Sequence, residues 1–121
     1  MCDCVHIIEA DPSVRNAIEE LVLAAGLSVR AYPRPEAFFE TAPIALDDVV
    51  ILDLAFPSGS SIDAALRLKR EHPDVKIVVV SGARQRAYQE ALAAIAPDAG
   101  FRKPLDGEAF FKSVSEFAAD K

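Results

Sequence analysis

Val49-Val50-Ile51-Leu52-Asp53 is a run of four apolar residues closed by a single acid. A strand with one wet face alternates apolar and polar residues. A continuous apolar run instead reads as a parallel strand covered on both faces. Ile77-Val78-Val79-Val80, followed by Ser81-Gly82, has the same character. Working outward, shorter runs occur at Val5 to Ile8, at Leu27 to Ala31 and, more weakly, at Gly100 to Arg102.

Helical spacing fills the gaps. After Asp11-Pro12-Ser13, the residues Val14, Ile18, Leu21, Val22 and Ala25 recur on one face until Gly26. Asp11 is a natural N-cap there, with Pro12 in the first helical position. A short helix is expected over Pro35 to Thr41, with Phe38 and Phe39 inward. A third is expected from about Ser61 to Glu71, burying Ile62, Ala65, Leu66 and Leu68, with a basic last turn (Arg67 to Arg70) that suits the helix dipole. A fourth, Ala-rich helix covers about Arg84 to Ile95. A fifth follows Pro104, with Phe110, Val114 and Phe117 as its core stripe.

Five strands alternating with five helices predict an α/β fold, a doubly wound five-stranded parallel sheet with helices on both faces. The flavodoxin-like strand order 2-1-3-4-5 is the common solution for five such units. With 121 residues the chain suits one domain, residues 1–121. Apolar residues at 51% and charged ones at 26% are a globular balance. The net charge of -6 and the lack of a concentrated Lys/Arg face argue against nucleic acid as a partner. The start, Met1-Cys2-Asp3-Cys4, has no basic or long apolar segment of a signal peptide. No apolar run is long enough for a membrane, so a cytoplasmic location is expected. Cys2 and Cys4 are poorly spaced for a disulfide, and His6 and His72 do not complete a metal set with them. Cys4 is expected to be a small apolar strand residue.

In open α/β sheets the functional crevice lies at the carboxyl ends of the strands. The first strand here ends in Glu9-Ala10-Asp11, the third in Asp53, the fourth in Ser81 and the fifth in Lys103-Pro104. Taken singly, an acid after a strand is usually a cap, Ser-Gly a turn and Lys-Pro a common dipeptide. Their joint occurrence at four strand ends is the specific signal. No G-x-G-x-x-G or P-loop pattern follows any strand, which weighs against a nucleotide-binding or flavin enzyme.

These four segments resemble the receiver domain of two-component response regulators. Ile8-Glu9-Ala10-Asp11-Pro12-Ser13-Val14-Arg15 is similar to the acidic receiver opening. Val50-Ile51-Leu52-Asp53-Leu54-Ala55-Phe56-Pro57 is similar to the phosphoacceptor strand, Val79-Val80-Ser81-Gly82-Ala83 to the hydroxyl position, and Arg102-Lys103-Pro104-Leu105 to the lysine-proline signature. The resemblance runs from about Val5 to Phe117. It implies Asp53 as phosphoacceptor, Ser81 and Lys103 as phosphate contacts, and Mg²⁺ held by Glu9, Asp53 and the backbone carbonyl of Ala55. It also implies a signalling domain rather than an enzyme. Its expected partners are a histidine kinase or phosphotransfer protein and a downstream protein. Contact would run through the fourth helix, fifth strand and fifth helix, a surface through which receivers can also form homodimers.

Three positions depart from that pattern. Position 10, where receivers carry the second acid and direct metal ligand, is Ala10, which predicts weak Mg²⁺ binding. Asp11 is the nearby carboxylate that could substitute, in competition with its capping role. Gly100 stands three before Lys103, where receivers usually place an aromatic residue, and Phe101 should face the other way. Ser61 stands where a glycine is common. Ala10 and Gly100 favour the alternative reading, a pseudo-receiver interaction module that works without phosphate or Mg²⁺. Retained Asp53, Ser81 and Lys103 favour a working phosphoacceptor.

Overall fold

The structure, a computed structural model, describes residues 4–54, 60–82 and 85–119. The elements follow in the order β1 (Val5–Ile8), α1 (Pro12–Ala24), β2 (Val29–Tyr32), α2 (Pro35–Thr41), β3 (Val49–Asp53), α3 (Ser60–Glu71), β4 (Lys76–Ser81), α4 (Gln85–Ile95), β5 (Ala99–Arg102) and α5 (Gly107–Ala119). All strand pairs are parallel and the sheet order is β2-β1-β3-β4-β5, as the alternation of elements predicts.

Burial explains why the central strands lack polar alternation. Val5, Ile7, Val49, Ile51, Val78 and Val80 pack on one face against Ile18 and Val22 of α1 and Phe110 and Val114 of α5. The residues between them, Ile8, Val50, Leu52, Ile77 and Val79, pack on the other against Phe38, Ala65, Leu68 and Ile95. Each fully buried Val, Ile or Leu contributes about 1.5–3 kcal/mol over an exposed one, so both faces commit the strands to this register.

Local signals set the element ends. The Asp11 carboxylate accepts from the N–H groups of Ser13 (2.8 Å) and Val14 (3.4 Å), and Pro12 opens α1. Gly26 leaves that helix at φ 77°, a conformation glycine adopts without strain. Lys69 in the last turn of α3 does not serve its own helix end: it donates to the Ile95 (2.7 Å) and Ala96 (2.8 Å) carbonyls that close α4.

One packing expectation fails. Leu66 is 42% exposed, and the buried stripe of α3 is Ser61, Ala64, Ala65 and Leu68. These sit at spacings of three and four, one helical face, whereas Leu66 lies off it. Small residues on that face let the helix approach the sheet, so size is a poor guide to which side faces in.

At the amino-terminal edge of the sheet a buried polar cluster closes the core. His6 and Asp48 are both fully buried, with His6 Nε2 2.8 Å from Asp48 Oδ2 and His6 Nδ1 3.3 Å from the Tyr32 hydroxyl. Asp48 also accepts from the backbone N–H groups of Cys4 (2.9 Å) and Ala45 (3.0 Å). Cys4 is buried just ahead of β1, and Cys2 lies outside the described residues. Removing one member of such a cluster strands the rest without water. Asp48→Ala should therefore cost about 3–5 kcal/mol. Urea unfolding would show it as a lower midpoint with an unchanged slope; a loss under about 1 kcal/mol would mean the cluster contributes little.

Candidate functional site

The carboxyl edge of the sheet gathers four of the side chains singled out in the sequence. Asp53 is the last residue of β3 and pairs in the ladder with Val80; it is 1% exposed. Glu9 follows β1, is equally buried, and its backbone N–H donates to the Tyr32 carbonyl at 3.1 Å. Ser81 ends β4, buried, and its carbonyl accepts from the Lys103 N–H at 2.8 Å. Strand order does the rest, because β1, β3, β4 and β5 lie side by side.

Lys103 joins the acids. Its Nζ lies 2.9 Å from Glu9 Oε1 and 3.4 Å from Asp53 Oδ1. Two buried carboxylates thus converge on one ammonium. Burial pushes the Glu9 carboxyl up from an ordinary 4.5 to about 6, with the hydrogen bond and negative charge of Asp53 adding to the rise. Lys103 and the Asp11 N–H, which donates to Glu9 Oε2 at 3.2 Å, oppose it. For Lys103 itself, burial pulls the pKa down, but the Glu9 hydrogen bond and the charges of Asp53 and Glu9 outweigh it and the net shift is upward.

Two supports were not legible as such. Arg15 Nη1 donates to the Glu9 carbonyl at 2.9 Å, holding the turn that presents the carboxylate. Ser61, noted only as a departure from glycine, is buried and donates its hydroxyl to the Asp53 carbonyl at 2.9 Å. It ties the start of α3 to the end of β3 just under the acid. Asp11, by contrast, is exposed and engaged as the α1 cap, so it does not join the cluster. Ala55 lies outside the described residues.

The family model of the response regulator receiver domain matches residues 5–115. The chain belongs to the response regulator receiver domain family. Among known proteins, it is 28% identical over 78 residues to the response regulator protein TodT of Pseudomonas putida, a match covering 64% of this chain and 34% of TodT. The match therefore spans about a third of that relative's length. Among solved structures, the BeF3-activated DrrB receiver domain of Thermotoga maritima superposes with a TM-score of 0.85 at 17% identity, over 99% of this chain and 100% of that one. The Thermotoga maritima response regulator TrrA, solved in complex with Mg²⁺ and BeF, gives a TM-score of 0.80 at 18% identity over 97% and 99% of the two chains. At these identities the structural likeness speaks for the fold. Receiver domains are signalling domains of two-component response regulators, and they generally bind Mg²⁺ at an acidic site.

In this receiver the donor chemistry fits a hard divalent cation in kind but falls short in number. Glu9 Oε1 is buried and meets the Lys103 ammonium at 2.9 Å, which makes it an oxygen suited to a cation. Yet among the described residues no three His, Cys, Asp or Glu side chains come together as a metal-holding group, and position 10 supplies an alanine rather than an acid. Among those residues, too, no helix is long and apolar enough to cross a membrane.

The raised Glu9 pKa has a definite sign. Its stabilising contribution is fully present below pH 4.5 and is lost as pH rises through about 6, where the carboxyl must ionise while buried. Glu9→Gln escapes that cost. Without metal, the variant should gain about 2 kcal/mol on wild type between about pH 4 and pH 7.5. Denaturant titrations across that range would read the difference; a flat difference would mean that Glu9 is not penalised by its surroundings.

Proposed function

We propose that this receiver, residues 1–121 acting as one unit, accepts a phosphoryl group on Asp53 and signals through protein contacts. The observation that carries the reading is the convergence of Glu9 and Asp53 on Lys103 beside Ser81. An Asp53 oxygen would attack the phosphorus of a phosphohistidine. The P–N bond breaks, its electron pair returns to the imidazole, and an aspartyl phosphate forms. Lys103, already between the two acids, would follow the phosphoryl oxygens as a mobile point charge. The Ser81 hydroxyl would donate to one of them and draw the start of the next loop inward. Arg15 and Ser61 hold Glu9 and Asp53 from behind through their main-chain carbonyls, so the acids keep their places while the loop moves.

Glu9, Asp53 and the carbonyl of Ala55 are the groups that would hold Mg²⁺, which when bound supplies charge neutralisation for the transferring phosphoryl group. With Ala10 in place of an acid, binding should be weak. The donor would be a histidine kinase or a phosphotransfer protein. The output surface would be the α4–β5–α5 face, read by a downstream protein.

A second reading, a pseudo-receiver that signals unmodified, is favoured by one observation. Asp11 is spent on the helix cap and does not replace the missing carboxylate. Intact-mass measurement after incubation with acetyl phosphate, with and without Mg²⁺, separates the two. A phosphate adduct that requires Mg²⁺ and disappears in Asp53→Asn is the expected result. No adduct under either condition would leave the pseudo-receiver as the function.

A further inference from the structure

Helices α2 and α3 lie on the same face of the sheet, and the seam between them is not closed. A groove of about 320 Å³ runs there, floored by Pro35, Phe39 and Ala64. Its rims are acidic, with Glu36 and Glu40 on the α2 side and Asp63 on the α3 side. Glu36 and Glu40 are four residues apart, hence neighbours on one helical face. Like charges at that spacing disfavour a helix, and α2 has only seven residues with which to offset them. Among the described residues none of the three acids has an ion pair.

The groove already holds one cation of the chain's own. The Arg67 guanidinium lies 4.1 Å from the centroid of the Phe39 ring. Its charge is answered by Glu71, whose two carboxylate oxygens accept from Arg67 Nε at 3.2 and 3.1 Å. Arg67 thus leaves the rim acids unmatched. It also shows what the ring accepts, a cation laid on an aromatic face. Phe38 packs edge-on against Phe39, with centroids 5.1 Å apart, and fixes the ring in place.

The chemistry of these walls selects the occupant. A bare metal ion fits poorly, because among the described residues no three acids come together to hold one. Nucleic acid and anionic lipid would meet carboxylates. A second copy of this chain carries a net charge of -6 and is repelled. Exposed ion pairs contribute little by themselves, so the acids need help from the apolar floor. A Lys or Arg side chain uses both, laying its methylene stem on Pro35, Phe39 and Ala64 while its head reaches the rim. The volume suits one or two such side chains rather than a whole small molecule. We propose that the α2–α3 groove docks a basic segment of a partner protein through its Lys or Arg side chains. The surface is separate from α5, which packs on the opposite face of the sheet. The inference goes beyond the phosphoacceptor reading and does not depend on it.

The 121-residue chain, isotope-labelled for backbone amide NMR, would be titrated with the peptide acetyl-Lys-Leu-Arg-Leu-Lys-amide. The amides of Glu36, Phe39, Asp63 and Ala64 should shift and saturate, with a dissociation constant below about 1 mM. Acetyl-Glu-Leu-Glu-Leu-Glu-amide should move none of them. Glu36→Gln, Glu40→Gln and Asp63→Asn combined, all at exposed positions, should weaken binding about tenfold or more. Phe39→Leu keeps apolar bulk but removes the ring face, and should weaken it about two- to fivefold. No saturable shift at these residues overturns the inference. So does an equal response to the acidic peptide. Binding unchanged in either variant would place the contact elsewhere on the acidic surface and overturn it as well. Shifts at the same residues that follow protein concentration without peptide would make a second copy the occupant, and the proposal would fall.

Discussion

The strands β1, β3 and β4 have no face that meets water, and most of what is distinctive in this receiver follows from that. Polar groups on such strands must sit at an end or bring their own partners. Both solutions are present, at opposite edges. At the amino edge Asp48 gathers His6 and the Cys4 and Ala45 amides, and Tyr32 takes the second nitrogen of the His6 ring. At the carboxyl edge Glu9 and Asp53 share Lys103. The first cluster is closed, with its hydrogen bonds directed inward. The second sets two buried carboxylates against one lysine.

Burial also sets the character of the acids. A carboxylate in water has no reason to wait for a cation, but one held in a low-dielectric cleft beside another does. The upward shift at Glu9 is the signature of that demand. Lys103 meets it, and the two supports behind the acids act through main-chain carbonyls rather than through the carboxylate oxygens. Lys103 and the Asp11 N–H engage the carboxylate oxygens, while Arg15 and Ser61 fix the main chain behind them.

How far the sequence could be read depends on the range of each interaction. Unbroken apolar runs such as Val49 to Leu52 report burial on both faces directly, and the helix stripes, the Asp11 cap and Gly26 are local signals. So are the strand-end residues, because the sheet order brings Glu9, Asp53, Ser81 and Lys103 together with no further assumption. The failures are tertiary. Leu66, expected in the buried set of α3, faces out, and the side packed on the sheet is Ser61, Ala64, Ala65 and Leu68. The pairing of His6 with Asp48 depends on the register of β1 against β3, which nothing near either residue announces. Ser61 is visible as an unusual residue, but its bond to the Asp53 carbonyl is visible only in three dimensions.

Ala10 and Gly100 read alike in sequence, each as the loss of a family residue, yet in the fold they differ. The place vacated at position 100 is filled: Tyr88 of α4 supplies a ring there, and the glycine is what makes room for it. The place vacated at position 10 is not refilled by the adjacent acid, since Asp11 is engaged by the first amides of α1. The two departures therefore bear on different things: Gly100 on how closely α4 packs over β5, and Ala10 on the carboxylate count of the acidic pocket.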